Sequence, residues 1–207
     1  MKYNKYKYIY PPRPELKITT DQLYLYEKNF LAQPKLNGSN ATLYIYNKNV
    51  IQKGRHNNIL SSFKIPNSEI LSIFNDNKWI VVNGEYMNKS KKNNNGLFNN
   101  KLVLFDILVF NNNYLLDETF NNRINLLYNI INPIDETDYL YKLSNNIYIV
   151  KTFYNNFLNL WNNITKIDMF EGLVLKQKNA KLKRGTSSKN NNLTQLKCRK
   201  PTKLYTY

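Results

Sequence analysis

Cysteine and histidine are nearly missing from this 207-residue chain, which has one of each, Cys198 and His56. One cysteine allows no internal disulfide and no cysteine-based metal cluster, and a lone histidine beside it builds no zinc site. No apolar run approaches the roughly 18 residues that a membrane-spanning helix needs. Residues 1–10 alternate lysine with tyrosine, without the apolar core of a signal peptide. The expected setting is therefore intracellular, reducing and cytoplasmic (the host cytoplasm if the source is viral), with no membrane partner. Acidic residues are also scarce, at 14 against 30 Lys and Arg, which leaves a net charge of +16. From Gly172 to Tyr207 there is no acid at all. An excess of that size points to a polyanionic partner such as a phosphate backbone. An A+T-rich genome also enriches Lys, Asn, Ile and Tyr, so charge alone leaves both explanations open.

What is present is enough to fold. Hydrophobic residues make up 42% of the chain, sufficient for the core of one domain. An extended arm, 1–19, is expected before a single domain, 20–207. Within the domain, strands are expected at Phe30–Leu36, Ala41–Tyr46, Val50–Lys53, Trp79–Met87, Lys101–Phe110, Asn146–Val150, Phe170–Gln177 and Thr194–Arg199. Helices are expected from Thr20 to Asn29, Ser68 to Phe74, Leu116 to Ile131 and Thr152 to Trp161, and a polar loop over Asn88–Asn100. The mixture reads as an α+β domain with an antiparallel sheet.

Five segments carry chemistry. Lys35-Leu36-Asn37-Gly38-Ser39-Asn40 sets a lysine before an Asn-Gly turn between two strands. A neutral amine there can attack phosphorus, although a surface lysine before a turn has the same pattern. Arg55 offers a fork suited to phosphate. Val82-Asn83-Gly84-Glu85 ends an apolar strand on a carboxylate. Leu104-Phe105-Asp106-Ile107 buries an acid in an apolar run, and that acid needs a partner or a metal. The last segment pairs Glu171-Gly172-Leu173-Val174-Leu175-Lys176 with Lys197-Cys198-Arg199, whose alternation puts two cations on one strand face.

In this order the segments resemble the covalent nucleotidyltransferase superfamily of ATP-dependent polynucleotide ligases and mRNA capping enzymes, with motifs K-x-D-G, G-E, F-D-I/L, E-G-x-V-x-K and K-x-K. The resemblance covers residues 30 to 205. Lys35-x-x-Gly38-Ser39-Asn40 is most similar to nick-sealing (type 2) RNA ligases. Ile9–Glu15 and Lys197–Lys203 are similar to small phage-encoded DNA ligases.

The resemblance implies an antiparallel-sheet, ATP-grasp-like adenylation domain. It also implies ATP and Mg²⁺ (or Mn²⁺) as cofactors and a monomer that seals 5′-phosphate and 3′-hydroxyl ends through a lysyl-AMP. Lys35 would be the nucleophile, Lys197 and Arg199 would neutralise the triphosphate, and Glu171 would help hold the metal. Asn37, Gly38 and Asn40 would lie along the nucleotide, with Asn40 serving AMP transfer. Glu85 and Arg55 would contact the ribose or the reacting phosphate, Phe105 would stack on adenine, and Lys176 would contact phosphate.

Asn37 departs from the usual aspartate, and Arg199 from the second lysine. Nothing after Tyr207 supplies the OB-fold domain of most DNA ligases, which tilts the expectation to RNA and away from capping. The basic tail, the arm and the loop around Lys89–Lys92 would then hold the nucleic acid. The rivals are a DNA nick ligase and a degenerate fold that only binds nucleic acid; Asn37 favours the latter.

Overall fold

A computed structural model of the chain describes residues 1–74, 77–88, 92–93, 96–185 and 191–201. In chain order the strands are β1 (Arg13–Lys17), β2 (Phe30–Leu36), β3 (Ser39–Tyr46), β4 (Asn49–Lys53), β5 (Ile80–Met87), β6 (Lys92–Asn93) and β7 (Gly96–Leu97). They continue with β8 (Lys101–Phe110), β9 (Asn113–Tyr114), β10 (Asp135–Glu136), β11 (Leu140–Lys142), β12 (Ile147–Val150), β13 (Phe170–Gln177) and β14 (Asn191–Arg199). Helices α1 (Asn67–Leu71), α2 (Phe120–Asn129) and α3 (Phe157–Ile164) and a 3-10 helix (Thr20–Tyr26) complete the set.

Two sheets form the body. The larger runs β10-β11-β12-β8-β5-β3-β4, with β9 on β8, and the smaller runs β1-β14-β13-β2. The domain is α+β as expected, but the sheets are mixed rather than antiparallel. β12 lies parallel to β8, and β1 parallel to β14.

Alternation along β8 explains how the sheets sandwich a core. Leu102 and Leu104 join the cluster under α2, with Phe120, Ile124 and Leu127. Val103 faces the other way, into the cluster with Leu173, Leu175 and Leu196 of the smaller sheet and Phe157 of α3. A third cluster holds the arm: Tyr3 and Ile9 pack on Tyr44, Trp79 and Val81.

Helix ends depart from expectation for local reasons. Thr19, not Thr20, precedes the first helix, and its N–H donates to the Gln22 side chain; that helix is 3-10 and stops at Tyr26. α2 begins at Phe120 because the Thr119 hydroxyl accepts from the Asn122 N–H at 3.1 Å, a helix cap. α3 begins at Phe157, since Phe153 exchanges two backbone hydrogen bonds of 2.9 Å with Ala32 and so belongs to the edge of β2. Most of the expected Lys89–Lys92 loop and the end of the basic tail lie outside the described residues.

Candidate active site

Two bulges aim the site. Along β2 and β13, Leu36 pairs with Phe170 and Lys35 with Gly172, so Glu171 is an extra residue with no opposite. Bulges turn a side chain out of the regular pleat. Here the result is an ion pair: Glu171 Oε2 lies 2.6 Å from Lys35 Nζ and 3.1 Å from Arg199 Nη2. Gly172 makes the bulge possible. Its φ is +134°, and a Cβ there would collide with the Cys198 carbonyl oxygen. The second bulge is in β8, where Asn83 pairs with Asp106 and Gly84 with Leu104, leaving Phe105 extra. Phe105 turns toward the cleft between the sheets, whereas Asp106 turns toward α2.

Two adjoining cavities open between the sheets. The inner one is lined by Gln33, Phe105, Lys176 and Lys197, with Pro12, Arg13 and Pro14 along one edge. Asn37, Gly38, His56 and Glu171 line the outer one. Lys35, Asn40, Arg55, Glu85 and Arg199 line both. Every site residue that the resemblance implies thus borders one cavity or the other, and Lys35 stands where they meet. Gly38 closes the turn after Lys35: its N–H donates to Glu85 Oε1 at 3.1 Å, and a Cβ would lie 2.5 Å from the Tyr86 carbonyl.

Charge and burial set the chemistry. Glu85 is held above the ordinary carboxylate range mainly by burial, against the pull of Lys35. Lys197 is held below the ordinary lysine range, first by burial and then, with Glu15 opposing, by Arg199 and Lys35. Lys176 sits on the inner wall. Its Nζ donates to the Phe105 carbonyl at 3.2 Å and lies 4.7 Å and 4.6 Å from the ring centres of Phe105 and Phe120. In this position it props Phe105, and a phosphate contact would require it to leave. The buried Asp106 has found a partner rather than a metal. Arg123 of α2 grips it through Nε at 3.0 Å and Nη2 at 2.9 Å.

Two residues of the cavity wall hold a buried, unsatisfied oxygen. Gln33, 1% exposed, donates Nε2 to the Phe105 carbonyl and to Thr152 Oγ1, at 3.4 and 3.1 Å. Its Oε1 has no partner among the described residues. Sequence reasoning missed Gln33; the signal was its place two residues before Lys35, on the same face of β2. Asn40 donates Nδ2 to Asn83 Oδ1 at 2.9 Å and to the Gly84 carbonyl at 3.3 Å, which leaves Oδ1 open.

Among the described residues no group of three or more His, Cys, Asp or Glu could hold a metal. Glu85 and Glu171 are nonetheless hard oxygen donors bordering the same cavity. Mg²⁺ is commonly held by one or two carboxylates together with substrate phosphates and water, so the donor set fits.

Residues 65–197, more than half of the chain, match the sequence family described as the ATP dependent DNA ligase domain. The chain belongs to that family. The match begins after Lys35, so the nucleophile segment stands on the geometry above. No curated protein matches the chain in sequence. Among solved structures, a mycobacterial DNA ligase D complexed with ATP and MES is similar at a TM-score of 0.64 and 11% identity, over 92% of this chain and 60% of that one. The ligase domain of M. tuberculosis LigD gives 0.65 and 12%, over 92% and 59%. A Lig E DNA ligase gives 0.56 and 16%, over 92% and 69%. These likenesses concern the fold. This member of the ligase-domain family spans about 60% of the length of the first two.

Proposed function

We propose that the chain is an ATP-dependent polynucleotide ligase that carries AMP on Lys35. The observation that carries the reading is the meeting of two cavities at the Lys35 amine. The inner one is walled by an aromatic ring and two β14 cations, and the outer one opens to solvent. A nucleotide in the first and a strand end in the second would both border Lys35.

In the first step the neutral amine of Lys35 forms an N–P bond to the α-phosphate. The bond from that phosphorus to the bridging oxygen breaks, and its electron pair leaves with pyrophosphate. The amine's surplus proton passes to solvent water, while the Glu171 carboxylate, 2.6 Å away, orients the amine. Lys197 and Arg199 stabilise the charge that builds on the leaving group. Phe105, backed by Lys176, stacks on the base. Gln33 Oε1 accepts from an exocyclic amino group, which adenine has where guanine has a carbonyl, and this favours ATP over GTP. A Mg²⁺ held by Glu171 and Glu85 would offset charge on the phosphates. AMP then passes to a 5′-phosphate in the outer cavity, and a 3′-hydroxyl displaces it to form the phosphodiester. Arg55 borders both cavities and is suited to hold that 5′-phosphate.

Family membership favours a DNA nick as substrate. One observation favours RNA as the second reading. Asn40 lines both cavities, and its buried Oδ1 has no partner among the described residues, so a small turn of the amide would let it accept from a sugar hydroxyl. Sealing of matched nicks that differ only in the sugar of the 3′-hydroxyl strand separates the two. The DNA reading expects the deoxyribose nick to seal with ATP at least as fast as the ribose nick. A preference for the ribose nick that disappears in Asn40→Ala would instead establish the RNA reading. Failure to seal either nick would remove the ligase reading.

A further inference from the structure

The arm before the 3-10 helix ties the two sheets together across the inner cavity. Its first half is fastened to the larger sheet. The Tyr3 N–H donates to the Asn112 carbonyl at 2.7 Å, and the Tyr114 N–H to the Met1 carbonyl at 2.8 Å. The Ile9 N–H donates to the Tyr44 hydroxyl at 2.8 Å, and the Tyr8 hydroxyl to the Gly54 carbonyl at 2.8 Å. Its second half is β1, which runs parallel to β14 of the smaller sheet, with Leu16 opposite Leu196 and Lys17 opposite Lys197. Pro11-Pro12-Arg13-Pro14 makes the passage from one anchorage to the other, its last two residues already in β1. Three prolines fix φ and remove three donors, so this crossing is stiff. Arg13 is its one long side chain.

We infer that Arg13, presented by this proline crossing, binds the β- and γ-phosphates of ATP alongside Lys197. Three observations support the placement. Pro12, Arg13 and Pro14 line the same cavity as Lys35, Phe105 and Lys197. Lys197 Nζ donates to the Pro14 carbonyl at 3.4 Å, so the crossing lies at the end of the cavity where the β14 cations are. The Arg13 guanidinium already holds an anion, the carboxylate of Glu15 two residues along β1, at 2.5 Å. Arg13 and Lys197 thus flank the triphosphate from adjacent strands, a cation pair in addition to Lys197 and Arg199 on one strand. A guanidinium fork suits two phosphate oxygens at once.

The inference rests on the ligase reading and assigns Arg13 to one step of it. Pyrophosphate leaves when Lys35 takes AMP, so Arg13 would serve adduct formation and have nothing to hold afterwards. Two rates test this. The first is single-turnover AMP-adduct formation as a function of ATP concentration, read by intact mass. The second is closure of a nick whose 5′-phosphate already carries AMP, which needs no triphosphate. Loss of a charged hydrogen bond to phosphate corresponds to about a ten- to hundredfold change. Arg13→Ala should lower adduct formation at limiting ATP by that factor, Arg13→Lys should recover part of it, and both should close the pre-adenylylated nick at the wild-type rate. That second rate also reports correct folding. Unchanged adduct formation in Arg13→Ala overturns the inference, and so does equal slowing of both steps. If the wild-type protein forms no adduct, the ligase reading itself falls, which is a different result from a wild-type adduct that is indifferent to Arg13.

Discussion

Single residues shape this site through groups that are buried yet polar. Lys176 is the clearest case: burial pushes it down to about 8, opposed by Asp106 and reinforced by Arg123. Between pH 8 and the ordinary lysine value the unfolded chain binds a proton that the native chain has released. Stability against unfolding therefore rises with pH across that window, while the cost is present in full below pH 8. A tenfold change in proton affinity is worth about 1.4 kcal/mol, so the climb is on the order of 3 kcal/mol. Denaturant midpoints measured from pH 7 to 10.5 should show the wild type gaining steadily on Lys176→Met. Parallel profiles would show that Lys176 does not titrate in this way. Gln33 makes the complementary point about legibility. Its spacing from Lys35 marks the strand face but not what the amide does there. Its meaning comes from the carbonyl of Phe105, 72 residues away, which fixes which end of the amide faces the cleft.

Among the strands, β8 and β13 have the boundaries that the sequence predicts, because each is a long apolar run ended by polar residues. What alternation does not disclose is a bulge. Read as regular strands, Phe105 and Glu171 would sit in the pleat; the bulges turn both toward Lys35's side of the cleft. The parallel pairings of β1 and β12 were equally hidden, since direction depends on contacts far apart in the chain, such as Leu16 with Leu196. Arg123 follows the same pattern. Only the fold brings it to Asp106, 17 residues earlier in the chain.

The Glu171 bulge can be tested through its glycine. A side chain at Gly172 would need a φ that L-residues rarely adopt and would collide with the Cys198 carbonyl. Gly172→Ala should therefore cost about 1–3 kcal/mol of stability, read as a lowered melting temperature. It should also slow AMP-adduct formation, because the bulge that aims Glu171 cannot close. A variant with native melting temperature and native adduct rate would contradict the role given to the bulge.

In the molecule as a whole, two sheets, a proline crossing and a basic strand converge on one amine. The acid-free stretch after Gly172 runs along β13 and β14, so part of the charge excess seen in the sequence, including Lys176, Lys197 and Arg199, lies at the cavity. That order of segments was legible in the sequence because each motif sits at a strand end or in a strand. The arm's place on the cavity wall was not, since the sequence marks it only as an extended, basic segment suited to nucleic acid. Whether Lys35 carries AMP is read most directly by intact mass after incubation with ATP and Mg²⁺, for wild type and for Lys35→Ala. The wild type should gain one AMP moiety, on the peptide that contains Lys35, and the variant should gain none. An unmodified wild type, or an adduct that persists without Lys35, would contradict the assignment.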